Sequence, residues 1–261
     1  MNRKKKFTTL LLAALLFVVL ASACNKQTRR QVVQRDLPPV ILWAWERPED
    51  LQFLDAKRFG VAFLAQTLVL KGNKVDLNPR HQPLKVSPTT KLIAVTRVES
   101  KKSTGEKAGL TSSQRQQLVT LIARTAQLEN VSAVQVDFDA GVSERQFYRE
   151  LLEELRQKLP ERVGLSITAL ASFCVGDRWL DDLPVDEAVP MIFRMGADDK
   201  NIKNFLAAGQ DFREPLCQAS YGIALDEPLQ LKFAAARRVY AFADRAWTEK
   251  DVALLEERLG K

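Results

Sequence analysis

Histidine is nearly absent from this chain: His81 is the only one in 261 residues. A zinc site built from several imidazoles is therefore excluded. A Ser-His-Asp triad would have to use His81, which sits in the Pro-flanked stretch Asn78-Pro79-Arg80-His81-Gln82-Pro83 with no nucleophile elbow beside it. That setting reads as a solvated loop. Cysteine is scarce as well: Cys24, Cys174 and Cys217, with no CxxC pair. Zinc-ribbon and thioredoxin-like chemistry are excluded on that ground. No apolar run reaches the roughly 20 residues that a membrane-spanning helix requires.

A surplus of charge is also missing where it would matter. The formal charge of the whole chain is +7. Arg3, Lys4, Lys5 and Lys6 account for four of these charges. Lys26, Arg29, Arg30 and Arg35 against Asp36 account for the other three. From Leu37 onward the charges balance, so the body carries no electrostatic footprint for a phosphate backbone, and we expect no nucleic-acid partner.

What is present begins at the N-terminus. A basic head, Asn2-Arg3-Lys4-Lys5-Lys6, precedes the apolar run Leu10–Leu20 and the small-residue stretch Ala21-Ser22-Ala23-Cys24. This is the pattern of a secretory signal peptide over 1–23. Its end resembles the lipobox of bacterial lipoproteins, and the resemblance implies lipid on Cys24 and a membrane contact through it; ordinary secretion after Ala-Ser-Ala is the alternative. Residues 24–36 then read as a tether with a reach of at most about 40 Å. Asn25 rather than Asp follows Cys24, which by the lipoprotein sorting rule points to the outer membrane of a cell envelope, facing the periplasm.

The remaining stretch, 37–261, holds no internal linker and is read as one domain. Eight apolar runs recur in it: Val40–Trp45, Gly60–Leu70, Leu92–Glu99, Val131–Asp139, Gly164–Ser172, Glu187–Phe193, Ala219–Leu225 and Arg238–Ala243. Near-continuous apolar runs suit strands buried on both faces of a parallel sheet. Helical segments fall between them. Thr111-Ser112-Ser113-Gln114 is a capping box leading to about Leu128, and Ser143 with Gln146 repeats the signal for a helix stopped by Pro160. Asp198–Ala208 is helical with Gly209 as its C-cap, and Thr248 caps a last helix with Leu254, Leu255 and Leu259 on one face. Alternation of this kind predicts an α/β fold, a (β/α)8 TIM-like barrel, with an open doubly wound sheet as the alternative. Two units are irregular. Lys71-Gly72-Asn73-Lys74 reads as a hairpin tip after the second strand, and only Asp177–Leu183 is left for a helix after the fifth.

Barrel sites lie at the C-terminal ends of the strands. The carboxylates expected there are Glu46, Glu99, Asp137, Asp139, Asp177, Asp226 and Glu227. The fourth run, Val131-Ser132-Ala133-Val134-Gln135-Val136-Asp137-Phe138-Asp139, carries the sharpest signal. With period two, Val134, Val136 and Phe138 share one face and Gln135, Asp137 and Asp139 the other. Paired carboxylates aimed into one lumen couple their titrations and raise one pKa, which suits a general acid. The candidate catalytic set is Asp137, Asp139, Glu46, Glu99 and Glu227. The candidate ligand-binding set is Trp43, Trp45, Arg97, Asp177, Trp179, Arg194 and Asp226. The plain alternative is a buried ion-pair layer in which Arg97 or Arg194 neutralises Asp137. Trp43 and Trp45 share one strand face, and Trp faces at a strand-end rim can stack on sugar rings; packing in the core is the competing role for them and for Trp179 and Trp247. A divalent ion between Asp137 and Asp139 is chemically feasible, because hard cations prefer oxygen ligands, but two carboxylates alone do not specify one, and no cofactor is called for.

Several stretches together resemble an uncharacterised bacterial family known only as a domain of unknown function. They are Trp43-Ala44-Trp45-Glu46-Arg47, Val136-Asp137-Phe138-Asp139, Gly176-Asp177-Arg178-Trp179-Leu180, Leu183–Met191 and Asp226-Glu227-Pro228. That resemblance implies an architecture and no assigned activity. More distantly, the fourth run is similar to chitinase-like glycosidases, in which spaced Asp residues precede a catalytic Glu. Asp137 and Asp139 match the last two Asp positions, whereas Val134 and Gly141 stand where an earlier Asp and the Glu would be. Three functions follow as expectations: an envelope barrel binding a glycan or other cell-wall ligand, an active glycan hydrolase using paired carboxylates, and a non-glycosidic hydrolase with a metal at Asp137 and Asp139. Cys174, near the top of the fifth strand, and Cys217, before the seventh, are expected about 26 Å apart along the barrel. Disulfide reach is about 7 Å, so both are expected as free thiols.

Overall fold

A computed structural model describes residues 37–103, 105–227, 233–234 and 236–260. The expected signal segment, the tether and Cys24 lie outside the described residues. The described strands are β1 (Val40–Ala44), β2 (Glu49–Asp50), β3 (Phe59–Lys71), β4 (Lys74–Pro79), β5 (Leu84–Lys85) and β6 (Leu92–Ser100), then β7 (Val131–Asp137), β8 (Gly164–Leu170), β9 (Glu187–Met191), β10 (Ser220–Ala224) and β11 (Arg238–Phe242). The helices are α1 (Ser112–Thr125), α2 (Arg145–Lys158), α3 (Ala171–Val175), α4 (Asp199–Ala207) and α5 (Glu249–Arg258). No helix among the described residues is long and apolar enough to cross a membrane.

The strands β1, β3, β6, β7, β8, β9, β10 and β11 pair in that order, all parallel, and β11 returns to β1 to close the ring. This is the closed eight-stranded barrel the alternating pattern predicts, not an open sheet. Each strand sits within two residues of its apolar run, except that the fifth run turns helical early: α3 starts at Ala171 rather than between Asp177 and Leu183.

Strand register sorts the side chains into two cores. Outward-facing Val134, Val136 and Phe138 join the layer beneath the helices, with Leu118, Ile122, Leu151 and Leu155 from α1 and α2. Inward-facing Ile41, Trp43, Ala62, Ile93, Val95, Val189 and Tyr240 are buried in the lumen. Two polar groups share that lumen. At the base, the Arg238 guanidinium pairs with Glu187 at 3.3 Å, and Tyr240 donates its hydroxyl proton to the same carboxylate. Arg238 Nε also donates to the carbonyl of Pro38, fastening the entering chain to the bottom of the barrel. Halfway up, Trp43 Nε1 donates to Gln135 Oε1 at 2.9 Å, and Gln135 Nε2 donates to Ser166 Oγ at 2.9 Å. Gly222 makes room for that indole, because a Cβ there would lie 3.1 Å from Trp43 and 2.9 Å from the carbonyl oxygen of Pro190.

β3 outruns the ring. Its second half pairs antiparallel with β4 from Gln66 to Lys71, and the tip turns at Gly72 with φ +52°. The hairpin excursion is thus where the tip sequence places it. The Gln114 amide donates to the carbonyls of Gly72 and Lys74, tying the hairpin to α1.

The capping box of Thr111 with Gln114 forms as read, and so does the Thr248 cap, where Asp251 is the reciprocal partner. Ser143 does not cap α2. Glu144 stands at its N-cap without a side-chain cap bond, and its carboxylate instead accepts from the Gly141 amide at 2.7 Å at the start of the preceding 3-10 turn, Val142–Glu144. On α5 the buried face is Val252 and Leu255, while Leu254 is exposed.

The cysteines are a correction. Cys174 and Cys217 form a disulfide with Cα atoms 5.9 Å apart. The expected separation assumed that each residue stays at its own end of the barrel. Instead α3 folds outward off β8, and the segment before β10 runs across it: the amides of Arg213 and Glu214 both donate to the Cys174 carbonyl. The two sulfurs meet on the outside of the barrel wall, in a layer with Leu216 and Phe212.

Candidate functional site

A cavity of about 410 Å³ opens among the C-terminal strand ends, within the roughly 300–1,000 Å³ range of ligand pockets. Trp43 lines it from β1 and Trp45 from the residue just beyond, Arg97 from β6, Asp137 from the end of β7 and Asp139 two residues past it, and Thr168 and Leu170 from β8. Ala171, Ser172, Met191, Phe193, Arg194, Met195, Asp198, Ile202 and Phe242 complete it. Inward register explains most of this set, since Arg97 is the Cα partner of Asp137 on adjacent parallel strands and side chains in register share a face.

One wall is aromatic. Phe193 and Phe242 stack nearly parallel at 5.7 Å, Trp45 meets Phe242 edge-on at 6.3 Å, and Trp43 lies 6.2 Å from Phe193. Trp43 is almost fully buried, whereas Trp45 is only partly so and presents ring surface to the cavity. Trp247 is a core residue, its indole N–H donating to the Trp43 carbonyl.

The opposite wall is polar. The Thr168 hydroxyl donates to Asp137 Oδ1 at 2.6 Å. Burial pushes the Asp137 carboxyl above its ordinary range, against that hydrogen bond, and the charge of Asp139 and, less, that of Glu99 push the same way while Arg97 opposes them. Neither candidate arginine forms an ion pair with Asp137. Arg97 Nε pairs with Glu99 at 3.0 Å and Arg194 Nη2 with Asp226 at 3.1 Å. A buried ion-pair layer built on Asp137 is therefore not what the lumen contains. Asp139 is exposed at the mouth and has no hydrogen-bond or ion-pair partner among the described residues.

The other predicted residues are placed as follows. Glu46 accepts from the backbone amides of His81 and Gln82 at 3.1 and 3.3 Å, holding a rim loop outside the cavity lining. Glu99 stands behind Arg97, and Asp226 behind Arg194. Glu227 accepts from the Arg194 amide at 3.0 Å and pairs with Lys203 at 3.2 Å. Asp177 pairs with Arg145 at 2.5 Å, and the Trp179 ring packs against Tyr148 and Phe173. Both belong to the helix layer behind β7 and β8 rather than to the cavity.

The sequence reading did not single out Thr168, Ser172, Met191, Phe193, Asp198 or Phe242. Period-two alternation, applied to the fifth, sixth and eighth runs as it was to the fourth, points Thr168, Met191, Phe193 and Phe242 inward. Asp198, just before α4, carries no periodic signal. Among the described residues no group of three or more His, Cys, Asp or Glu side chains is arranged to hold a metal ion.

No family model matches the chain, and no curated protein sequence does. Among solved structures, the chain is similar to the spore cortex-lytic enzyme SleL of Bacillus cereus, with 14% identity and a TM-score of 0.45. It is also similar to the chitinase domain of the spore coat protein CotE from Clostridium difficile, with 13% identity and a TM-score of 0.40. Each alignment covers 85% of this chain but only 58% and 62% of those two chains, respectively.

Proposed function

We propose that this chain is a cell-envelope lipoprotein whose barrel binds a saccharide in the cavity at its strand ends. The observation that carries the reading is one cavity with the aromatic wall of Trp45, Phe193 and Phe242 facing Arg97, Asp137, Thr168 and Asp139. Sugar rings offer apolar C–H faces to aromatic rings and hydroxyl edges to charged groups, and this arrangement meets both needs. The signal and lipobox pattern of residues 1–24 supports the envelope location.

A specific observation favours hydrolysis as a second reading. Asp137 is a carboxyl raised by burial, with no cation in contact, beside the solvated carboxylate of Asp139. A carboxyl that holds its proton more tightly than usual suits the role of general acid, with Asp139 or Asp198 as base or nucleophile.

The test presents the full chain with bacterial and plant polysaccharides, beside Trp45→Ala, Asp137→Asn and Asp139→Asn. Retention of a polysaccharide, reduced about tenfold or more in Trp45→Ala, is expected from the loss of a stacking partner. Failure to retain any polysaccharide defeats the reading. Release of reducing ends that disappears in Asp137→Asn assigns hydrolysis, and binding without release assigns a binding barrel.

A further inference from the structure

Two arginines face the cavity, and each is held from outside it. Arg97 is gripped at Nε by Glu99, which leaves both of its terminal amino groups without a partner among the described residues. Arg194 is gripped at Nη2 by Asp226, and its guanidinium lies 4.9 Å from the centre of the Phe242 ring. Its backbone is fixed as well: φ is +52°, a left-handed conformation costly for a non-glycine residue, and its amide donates to Glu227. Strain of this kind persists where the surroundings over-determine it, and here it sets a guanidinium at the lip of the cavity.

A neutral saccharide has no need of two pre-positioned guanidinium forks. A carboxylate does, because the planar fork matches its two oxygens. The acidic groups of the cavity do not cancel this preference. Asp137 is engaged by Thr168, while Asp139 and Asp198 are exposed at the mouth, where water screens them. Counting Glu99, Asp226 and Glu227, the neighbourhood has no general positive potential. Selectivity must come from local geometry rather than from long-range attraction.

We propose that the saccharide taken by this cavity carries a carboxylate, bound by the free guanidinium edges of Arg97 and Arg194. The proposal rests on the reading of the cavity as a glycan site and names the class of glycan.

The experiment measures binding of the full chain to oligogalacturonate, alginate and hyaluronan oligosaccharides, each beside its carboxyl-reduced neutral form. At least one acidic form is expected to bind about tenfold or more tightly than its reduced partner, as losing a charge-assisted hydrogen bond implies. Arg97→Gln and Arg194→Gln should each abolish that difference between acidic and reduced forms. Arg178→Gln, on a side chain that is 90% exposed and away from the cavity, should not change it. Equal binding of acidic and reduced forms, or retention of neutral glycans alone, overturns the proposal and leaves the glycan-binding function standing. Binding of no saccharide in either form overturns both. The comparison of acidic with reduced ligand uses the unaltered protein, so it decides even if a variant fails to fold.

Discussion

Asp137 gathers the competing forces of the site into one carboxyl. Burial and two neighbouring acids favour its protonated form, and the Thr168 hydroxyl and the Arg97 charge favour its ionised form. Burial prevails, so the folded state binds its proton more tightly than the unfolded chain, where a carboxyl titrates near 3.9. Native protein then holds more protons than unfolded protein across the interval from that ordinary value up to the raised one. Stability contributed by Asp137 is complete below the interval, falls as pH rises through it and is level above it. Asp137→Asn keeps an acceptor for Thr168 and removes the titration. We expect its urea midpoint at neutral pH to equal or exceed that of the parent, and the difference to vanish below about pH 4. A variant that is less stable at neutral pH would mark Asp137 as a structural anchor instead. The inward aim of Asp137 was legible in the sequence, because period two fixes strand faces. Its lack of a cationic partner was not, since Arg97 and Arg194 choose among carboxylates only once the loops are folded.

At the scale of elements, the disulfide is the least legible feature and the most testable. It joins α3, whose first residues Ala171 and Ser172 line the cavity, to the turn before β10. The bridge closes a loop with a sequence separation of 43, for which chain entropy gives about 4 kcal/mol of stabilisation. Replacing both cysteines by alanine should lower Tm by roughly 8–16 °C in a domain of this size. A reductant should lower the parent towards the same value and leave the double variant unmoved. A parent that alkylates at both cysteines without reductant would refute the bridge. Strand length correctly separated the ends of the barrel, but how far a short helix folds back along the wall is set by packing. The capping boxes at Thr111 and Thr248 were legible for the opposite reason, since cap and partner lie three residues apart and close without help from the rest of the fold.

For the molecule as a whole, closure depends on the base as much as on the ring of strands. Arg238 on β11 joins Glu187 on β9 and the Pro38 carbonyl, so three segments meet at one guanidinium. Glu187 and Arg238 are both nearly fully buried. Removing one partner strands the other, a loss of about 3–5 kcal/mol. Arg238→Met should show that loss in urea unfolding, and Glu187→Gln combined with Arg238→Met should recover part of it. A change under about 1 kcal/mol in the single variant would mean that the base pair does not secure closure. The chain enters the barrel at this base, and the cavity opens at the other end.

Composition and local pattern determined the class of this protein without help. Scarce histidine and cysteine ruled out chemistries that need several of either, and eight apolar runs with intervening caps pointed to a parallel α/β architecture. These are properties of composition and of neighbours a few residues apart, and they survive without knowledge of the fold. Ring closure over an open sheet was decided by the pairing of β11 with β1. The tertiary structure alone decided which carboxylates share a cavity, since Glu46, Glu99 and Glu227 stand at strand ends by sequence yet serve the rim and the two arginines. It also decided the meeting of Cys174 with Cys217 and the position of Asp198. Each depends on where a loop travels after its strand ends, and loop paths are set by long-range packing, which leaves no period in the chain.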